Sequence, residues 1–275
     1  MSAATPTQPD GPFTERTPRV VAARRLLRRR NRDAEGQFLV EGAQAVHEAI
    51  RYATVLELFV TERAAHRHPD LVEACGARVS VLTERAAATL SETVAPQGIV
   101  AVCGTLAQPA ADALRGARLA AVLAGVSDPG NAGTVIRVAD AAGAGAVIFA
   151  GETVDPHNGK CVRASTGSIF HLALVVEPDP HRAVAACHRS GLQVLAADAG
   201  ADRDLDDLAD SGALVAPTAW LFGSEAHGLD RELLTAADHA VAIPLYGCAE
   251  SLNLATAAAI CLYASARAHR RRPNH

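Results

Sequence analysis

From residue 119 onward the chain repeats one pattern: a short apolar run, a break bearing glycine or proline, then an Ala-rich helical stretch. The runs at 119–124, 146–150, 172–176, 193–197, 219–222 and 240–243 read as strands. The stretches at 132–142, 160–168 and 180–189 read as helices, and another opens after residue 250 and runs to about Arg267. Such alternation leaves little choice of architecture. It predicts an α/β domain whose mostly parallel sheet is covered by helices on both faces. Ligands of such sheets gather beyond the carboxyl ends of the strands, so the loops there are where chemistry is to be sought.

Upstream the alternation is looser. Residues 20–30, 42–51, 71–75 and 84–90 read as helices, and 56–60, 77–82 and 99–103 as strands. The expected division is a disordered polar tail over 1–17, a small α/β domain over 18–105, an Ala-rich linker over 106–117 and the parallel-sheet domain over 118–275. With 49% hydrophobic residues but only 6 Phe, 3 Tyr and 1 Trp among 275, the core must be built largely from Ala, Val and Leu. No apolar run reaches membrane-spanning length, and residues 1–18 lack the apolar core of a signal peptide. The 6 cysteines are scattered without a C-x-x-C pair, which indicates neither a disulfide framework nor a zinc site. A cytoplasmic protein without metal or membrane attachment is expected.

Charge is informative by its placement. The net charge is −4, yet Arg19, Arg24, Arg25, Arg28, Arg29, Arg30 and Arg32 follow one another with no acidic residue until Asp33. A second cluster, Arg270, Arg271 and Arg272, lies near the end. Local basic stripes bind phosphate backbones even on an acidic protein, and Arg28, Arg29 and Arg30 are the expected RNA contacts. A solvated helix face accounts for the same run.

Four segments stand out at the strand ends of the larger domain. In Ser127-Asp-Pro-Gly-Asn-Ala-Gly-Thr-Val-Ile-Arg137 the turn chemistry lets backbone approach a ligand, and Arg137 lies about one turn inside the following helix, where the helix dipole does not favour a cation. In Phe222-Gly-Ser-Glu-Ala-His-Gly-Leu-Asp230, Gly223 and Gly228 flank Glu225, while His227 reads as a solvated loop histidine. Near the end, Ile243-Pro-Leu-Tyr-Gly-Cys-Ala-Glu-Ser-Leu-Asn-Leu254 runs from a strand into a helix N-terminus, whose free amides suit a ligand or an ordinary cap by Glu250 or Ser251. Between these, Lys160, Arg163 and Ser165 of Asn158-Gly-Lys-Cys-Val-Arg-Ala-Ser-Thr-Gly-Ser168 can face phosphate or ribose oxygens. The dinucleotide fingerprint and the P-loop are both missing.

Taken together, the four segments resemble the SpoU/TrmH class of the SPOUT superfamily, RNA ribose 2′-O-methyltransferases. Asn131, Gly133 and Arg137 match the first motif; Gly223, Glu225 and Gly228 the second; Ile243-Pro244 and Ser251-Leu-Asn253 the third; the segment with Lys160, Arg163, Ser165 and Gly167 also fits. More loosely, Phe38-Leu-Val-Glu-Gly42 and Pro96-Gln-Gly-Ile-Val-Ala101 resemble the small substrate-binding domain of ribosomal-RNA members, related to a ribosomal-protein fold. The resemblance implies a deep trefoil knot in the C-terminal domain, S-adenosylmethionine as methyl donor, no metal, and a homodimer. It also implies that Gly223, Ile243 and Leu252 contact the donor through backbone, with Ser251 and Asn253 shaping its pocket. Arg137 would be catalytic, and Asn131, Glu225, Arg163 and Ser165 would position a site shared across the dimer. Ribosomal RNA is the expected substrate; a tRNA enzyme or a catalytically inactive RNA-binding module are the competing readings.

Overall fold

The computed structural model describes residues 11–270. In chain order the elements are α1 (Pro18–Arg25), α2 (Arg29–Glu35), β1 (Gln37–Glu41), α3 (Ala43–Tyr52), β2 (Val55–Thr61), α4 (Glu62–Arg67), α5 (Pro69–Cys75), β3 (Val79–Leu82), α6 (Glu84–Thr89) and β4 (Ile99–Gly104). Then come α7 (Ala110–Ala113), β5 (Leu119–Ala124), α8 (Pro129–Ala142), β6 (Ala146–Ala150), α9 (Gly159–Ser165), β7 (Ala173–Glu177), α10 (Pro180–Arg189) and β8 (Gln193–Ala197). The last are α11 (Leu205–Asp210), β9 (Thr218–Phe222), α12 (Arg231–Ala236), β10 (His239–Val241) and α13 (Leu254–Arg270). They form two compact units: one runs to Leu106 and takes in His157–Phe170, the other holds Ala107–Pro156 and everything from His171 on.

The second unit is built on a six-stranded, wholly parallel sheet in the order β10-β8-β9-β5-β6-β7. Every residue of β5, β6 and β9 is buried, as expected of strands covered on both faces. β5 is half alanine, and small side chains of this kind let helices approach a sheet closely. The single tryptophan, Trp220, is fully buried on β9, and its indole N–H is satisfied by Ser265 Oγ of α13 at 2.9 Å. The first unit has a four-stranded mixed sheet, β1-β4-β2-β3, with only β2 and β3 parallel. No helix among the described residues is long and apolar enough to cross a membrane.

Four expectations need correction. The helix over 20–30 is two helices broken at 26–28, and Gln37–Glu41, not among the expected strands, forms β1. Residues 11–17 are not a disordered tail: Phe13 is 5% exposed, its amide donates to Val81 O at 2.8 Å, and it pairs with Leu82. An aromatic buried in the core repays the ordering of a few polar neighbours. Residues 1–10 lie outside the described residues, as do Arg271 and Arg272. The expected linker is part of the second unit's core, since Ala113 and Leu114 of α7 and its C-cap are buried there. Finally, the larger domain is interrupted, because His157–Phe170 joins the first unit. There His157 packs on Phe38 with ring centroids 4.6 Å apart, its Nε2 accepts the Leu106 amide at 3.0 Å, and Phe170 stacks on Phe38.

Candidate cofactor and active site

In the second unit a cavity of about 570 Å³ opens beyond the carboxyl ends of three adjacent strands. Ala197, Asp198 and Ala199 reach it from the end of β8, Phe222 to Glu225 from β9, and Val241, Ile243 and Leu245 from β10. Ser251 to Leu254 and Ala257 close it from the start of α13, and Asn131 from α8. Position and size both match the small-molecule sites of parallel sheets.

The segments expected from sequence are joined here by a chain of hydrogen bonds. Asp128 caps α8, its side chain accepting the Asn131 amide at 2.8 Å. Glu225 then receives the Ser127 amide and hydroxyl at 3.2 and 3.3 Å, the Asp128 amide at 3.3 Å and Asn131 Nδ2 at 3.0 Å. Asn131 passes the connection on, its Oδ1 accepting Asn253 Nδ2 at 3.0 Å. Asn253 Oδ1 in turn accepts the Ala255 and Thr256 amides at 2.9 and 3.3 Å. Asn253 is thus the cap of α13, the role expected of Glu250 or Ser251. One amide side chain serves two purposes: its oxygen holds a helix end and its N–H₂ holds Asn131 in one orientation. Burial works against charge on Glu225, but the bonds from Asn131, its own backbone and the Ser127 and Asp128 amides outweigh it and hold the carboxyl below its ordinary range.

Gly223 and Gly228 close the loop that carries Glu225. Ser224 and Gly228 exchange amide–carbonyl bonds at 3.1 and 2.9 Å, and Gly228 takes the left-handed conformation, φ 66°, that glycine tolerates best. A Cβ on Gly223 would collide with the carbonyl group of Gly228 and the amide of Leu229. Gly223 is required first by the loop's own backbone, and a larger residue there would distort the loop before it filled the cavity. His227 is exposed, as expected.

Arg137 lies apart from the cavity lining. Because Asp128 caps the helix and Pro129 opens it, α8 starts three residues earlier than the sequence suggests, and Arg137 is its ninth residue rather than one turn in. It is about 9 Å further along the helix axis than Asn131. Its side chain is exposed and engages no acid or hydrogen-bond partner among the described residues.

The fourth segment belongs to the first unit. Asn158 caps α9 through the Lys160 amide, and the Lys160 side chain is exposed. Arg163 Nη1 lies 3.1 Å from Glu41 and 3.8 Å from Glu92, while Ser165 is fully buried with its hydroxyl donating to Val162 O at 2.7 Å. The groups of Arg163 and Ser165 are thus committed to their own unit. Arg28, Arg29 and Arg30 are exposed on the first unit around the start of α2. Sequence reading missed Asp198, Ala199 and Ala257. The strand-end rule would have found the first two had the order β10-β8-β9 been known, since it sets the end of β8 between the two flagged loops.

Comparison with known proteins gives the same picture. Residues 118–263 match the SpoU rRNA Methylase family, and residues 17–101 match the MRM3-like substrate binding domain. The chain is 36% identical over 243 residues to the 23S rRNA (guanosine(2553)-2'-O)-methyltransferase RlmP of Bacillus subtilis, covering 87% of this chain and 92% of that one. Among solved structures, the SpoU methyltransferase AviRb from Streptomyces viridochromogenes in complex with AdoMet superposes with a TM-score of 0.81 at 29% identity, covering 91% and 98% of the two chains. An AdoMet-bound rRNA methyltransferase from Sinorhizobium meliloti gives 0.77 at 30% identity, covering 91% and 95%. With a family model spanning more than half of its length and a relative matching along nearly all of it, the chain belongs to the SpoU rRNA methylase family.

Proposed function

We infer that this protein transfers a methyl group from S-adenosylmethionine to a ribose 2′-hydroxyl of ribosomal RNA. The observation that carries the reading is the hydrogen-bonded chain Glu225–Asn131–Asn253 on the rim of one cavity, which brings three distant motifs to one place. The cavity suits the donor: Phe222, Val241, Ile243 and Leu252 offer apolar wall for a flat adenine, Gly223 leaves backbone uncovered, and Asp198 offers a carboxylate to hydroxyl or ammonium groups. Gly223, Ile243 and Leu252 would hold it through backbone, with Ser251 and Asn253 at its edge.

When bound, the donor supplies a methyl already activated by its sulfonium charge. What the protein must add is alignment of the ribose oxygen and stabilisation of the negative charge it develops. A guanidinium free of acidic partners suits that second task, and we assign it to Arg137. It acts as an electrostatic stabiliser and hydrogen-bond donor, since arginine does not give up its proton in a protein. Glu225 stays ionised and fixes Asn131, which leaves the amides at the rim in one orientation.

Arg137 does not line the cavity of its own chain, and this supports a homodimer in which it serves the partner's cavity. The outward stripe Thr256, Ile260, Tyr263 and Arg267 on α13, which packs against α8, offers apolar surface for that contact; Ile260 and Tyr263 are 38% and 52% exposed. The trefoil knot typical of the family and a reducing, cytoplasmic setting for six cysteines that form no disulfide belong to the same proposal. Calorimetry with S-adenosylmethionine and transfer of a labelled methyl to ribosomal RNA test it. Saturable donor binding with ribose-linked label supports the reading, and a protein that binds no donor overturns it.

A further inference from the structure

The seven arginines between Arg19 and Arg32 are of three kinds in the structure. Arg19 is paired with Glu57 at 3.1 Å, and Arg29 reaches Asp33 one turn on at 3.9 Å. Arg32 is 4% exposed, and its Nη1 donates to the carbonyls of Leu26 and Leu27 at 2.8 and 3.0 Å. The remaining four, Arg24, Arg25, Arg28 and Arg30, are exposed and have no carboxylate partner among the described residues. Together with Leu27 and Asn31 they line a hollow of about 700 Å³ with no acidic side chain among its described lining residues.

The break between α1 and α2 makes this hollow. Had residues 18–35 formed one straight helix, Arg25 and Arg30 would lie about 140° apart around its axis. Instead α1 ends in tight turns, Arg28 is extended, and two side chains of α2 reach back to the carbonyls at the end of α1. Asn31 Nδ2 donates to Arg25 O at 2.7 Å, and Arg32 takes the next two. A buried cation on the carbonyl end of a helix is stabilised by the dipole as well as by its hydrogen bonds. Turning the chain here gathers four guanidinium groups whose mutual repulsion is relieved only by an anion.

We propose that this hollow seats the phosphodiester backbone of the substrate RNA, with Arg24, Arg25, Arg28 and Arg30 on phosphates and Asn31 and Arg32 as positioning residues that keep the two helices turned. The proposal rests on RNA being the substrate. It departs from the run Arg28-Arg29-Arg30 by bringing in Arg24 and Arg25 and leaving out Arg29. A guanidinium's planar fork matches two phosphate oxygens at once, and the described lining holds no aromatic ring to serve as a stacking platform for bases. It grips backbone without reading sequence.

The test is binding of the full chain to a 23S ribosomal RNA transcript across a salt series, with donor affinity measured in parallel. Each of Arg24→Gln, Arg25→Gln, Arg28→Gln and Arg30→Gln lowers the slope of log K against log salt by about one. The four together lower it by roughly three to four and weaken binding at least about tenfold at physiological salt. A control removes the same charge from elsewhere in the unit (Arg51, Arg63, Arg67 and Arg85 to Gln) and changes the slope by less than about one. Asn31→Ala removes no charge, so a flatter slope in that variant reports loss of position alone; Arg32→Lys, which keeps a donor on the carbonyls, retains more of the slope than Arg32→Met. If both fourfold variants flatten the slope equally, the protein responds to net charge and the hollow is not the site. If Asn31→Ala and Arg32→Met both keep the wild-type slope, the positioning role is wrong. A fourfold hollow variant with unchanged slope and intact donor binding overturns the hollow and spares the methyltransferase. A wild-type protein with no salt-dependent RNA binding overturns the substrate reading itself.

Discussion

Glu225 and Glu41 stand at the centres of two polar clusters made of similar parts, one in each unit. Glu41 ends β1 and Glu225 lies three residues beyond β9, and each gathers several donors from distant segments. Glu41 collects the hydroxyls of Ser91 and Thr93 and the guanidinium of Arg163, and its side chain is 9% exposed. Glu225 collects two amides, a hydroxyl and the Asn131 side chain, and is exposed on the rim of a cavity. The first carboxylate is nearly buried and is paired with an arginine. The second is ionised without a cation, while the nearest arginine along its capped helix, Arg137, is left unpaired. Charge compensation inside the fold marks architecture; charge left uncompensated beside a cavity marks chemistry. Of the two arginines that share a family resemblance, Arg163 is compensated inside its unit, while Arg137 has no acidic partner among the described residues.

Removing each arginine tests the distinction most directly. Arg137→Ala lowers the rate of methyl transfer by about 10²–10³ or more, the usual scale for losing a preorganised donor to a developing oxyanion. Donor affinity and Tm stay near wild type, a loss confined to the transition state. Arg163→Ala does the reverse. It strips a charged donor from a nearly buried carboxylate and destabilises the protein by about 1–3 kcal/mol, while the folded fraction keeps its turnover. If Arg163→Ala removes activity at full stability, Arg163 belongs with the chemistry. Complementation locates Arg137 further: Ala257→Phe fills the cavity from α13 without touching the Gly223 loop. Heterodimers of the two inactive variants recover up to half of wild-type activity if Arg137 serves the partner's cavity, and none if it serves its own.

Truncation gives the next largest effect. A fragment starting at Ala107 retains His157–Phe170 but loses the Phe38 ring and the Glu41 carboxylate that hold it. Ile169, Phe170, Cys161 and Val162, all buried in the full chain, become exposed. The fragment binds a hydrophobic dye and melts at least several degrees lower than the full chain; equal stability would show that the segment folds with the second unit alone.

The cap at α13 is a smaller lever. Asn253→Ala removes the acceptor for two helix amides, costing about 0.5–2 kcal/mol. It also removes the donor to Asn131 Oδ1 and leaves that side chain held by Glu225 alone, so donor affinity falls together with Tm. A drop in Tm with unchanged donor affinity would reduce Asn253 to an ordinary helix cap.

How much of this was legible in sequence follows from what each feature depends on. β5, β6, α10 and β8 were read to the residue because a buried parallel strand or an Asp-Pro-capped helix is a local pattern. Glu225 and Asn131 stand out because they lie in glycine-bearing loops at strand ends, Asn253 because it opens a helix, and the family resemblance joins the three. Their hydrogen bonds to one another span 94 and 122 residues, and no local pattern contains that information. The α1–α2 break was invisible for a similar reason. The run reads as one basic helix, and what stops it is Arg32 turning inward onto carbonyls five and six residues back. The burial of Phe13 depends on β3, some seventy residues away.

The smallest effect concerns the charge on Glu225 itself. Its carboxyl is held below the ordinary glutamate range: burial opposes the charge, but the bonds from Asn131, its own backbone, Ser127 and Asp128 prevail. A group whose folded pKa is depressed contributes stability that is complete above its unfolded pKa and is lost as pH falls through the folded one. Glu225→Gln lacks that contribution at every pH and turns an N–H₂ toward Asn131. The wild type therefore melts higher than the variant near neutrality, and the gap narrows on acidification, when the wild-type carboxyl is protonated too. Because the group is exposed, solvent screening keeps the gap to about 1 °C or slightly more. The sign of the change with pH is the decisive quantity, read from paired melting curves between neutrality and roughly pH 3. A gap that widens toward acid would mean that the four donors around Glu225 do not favour its charge.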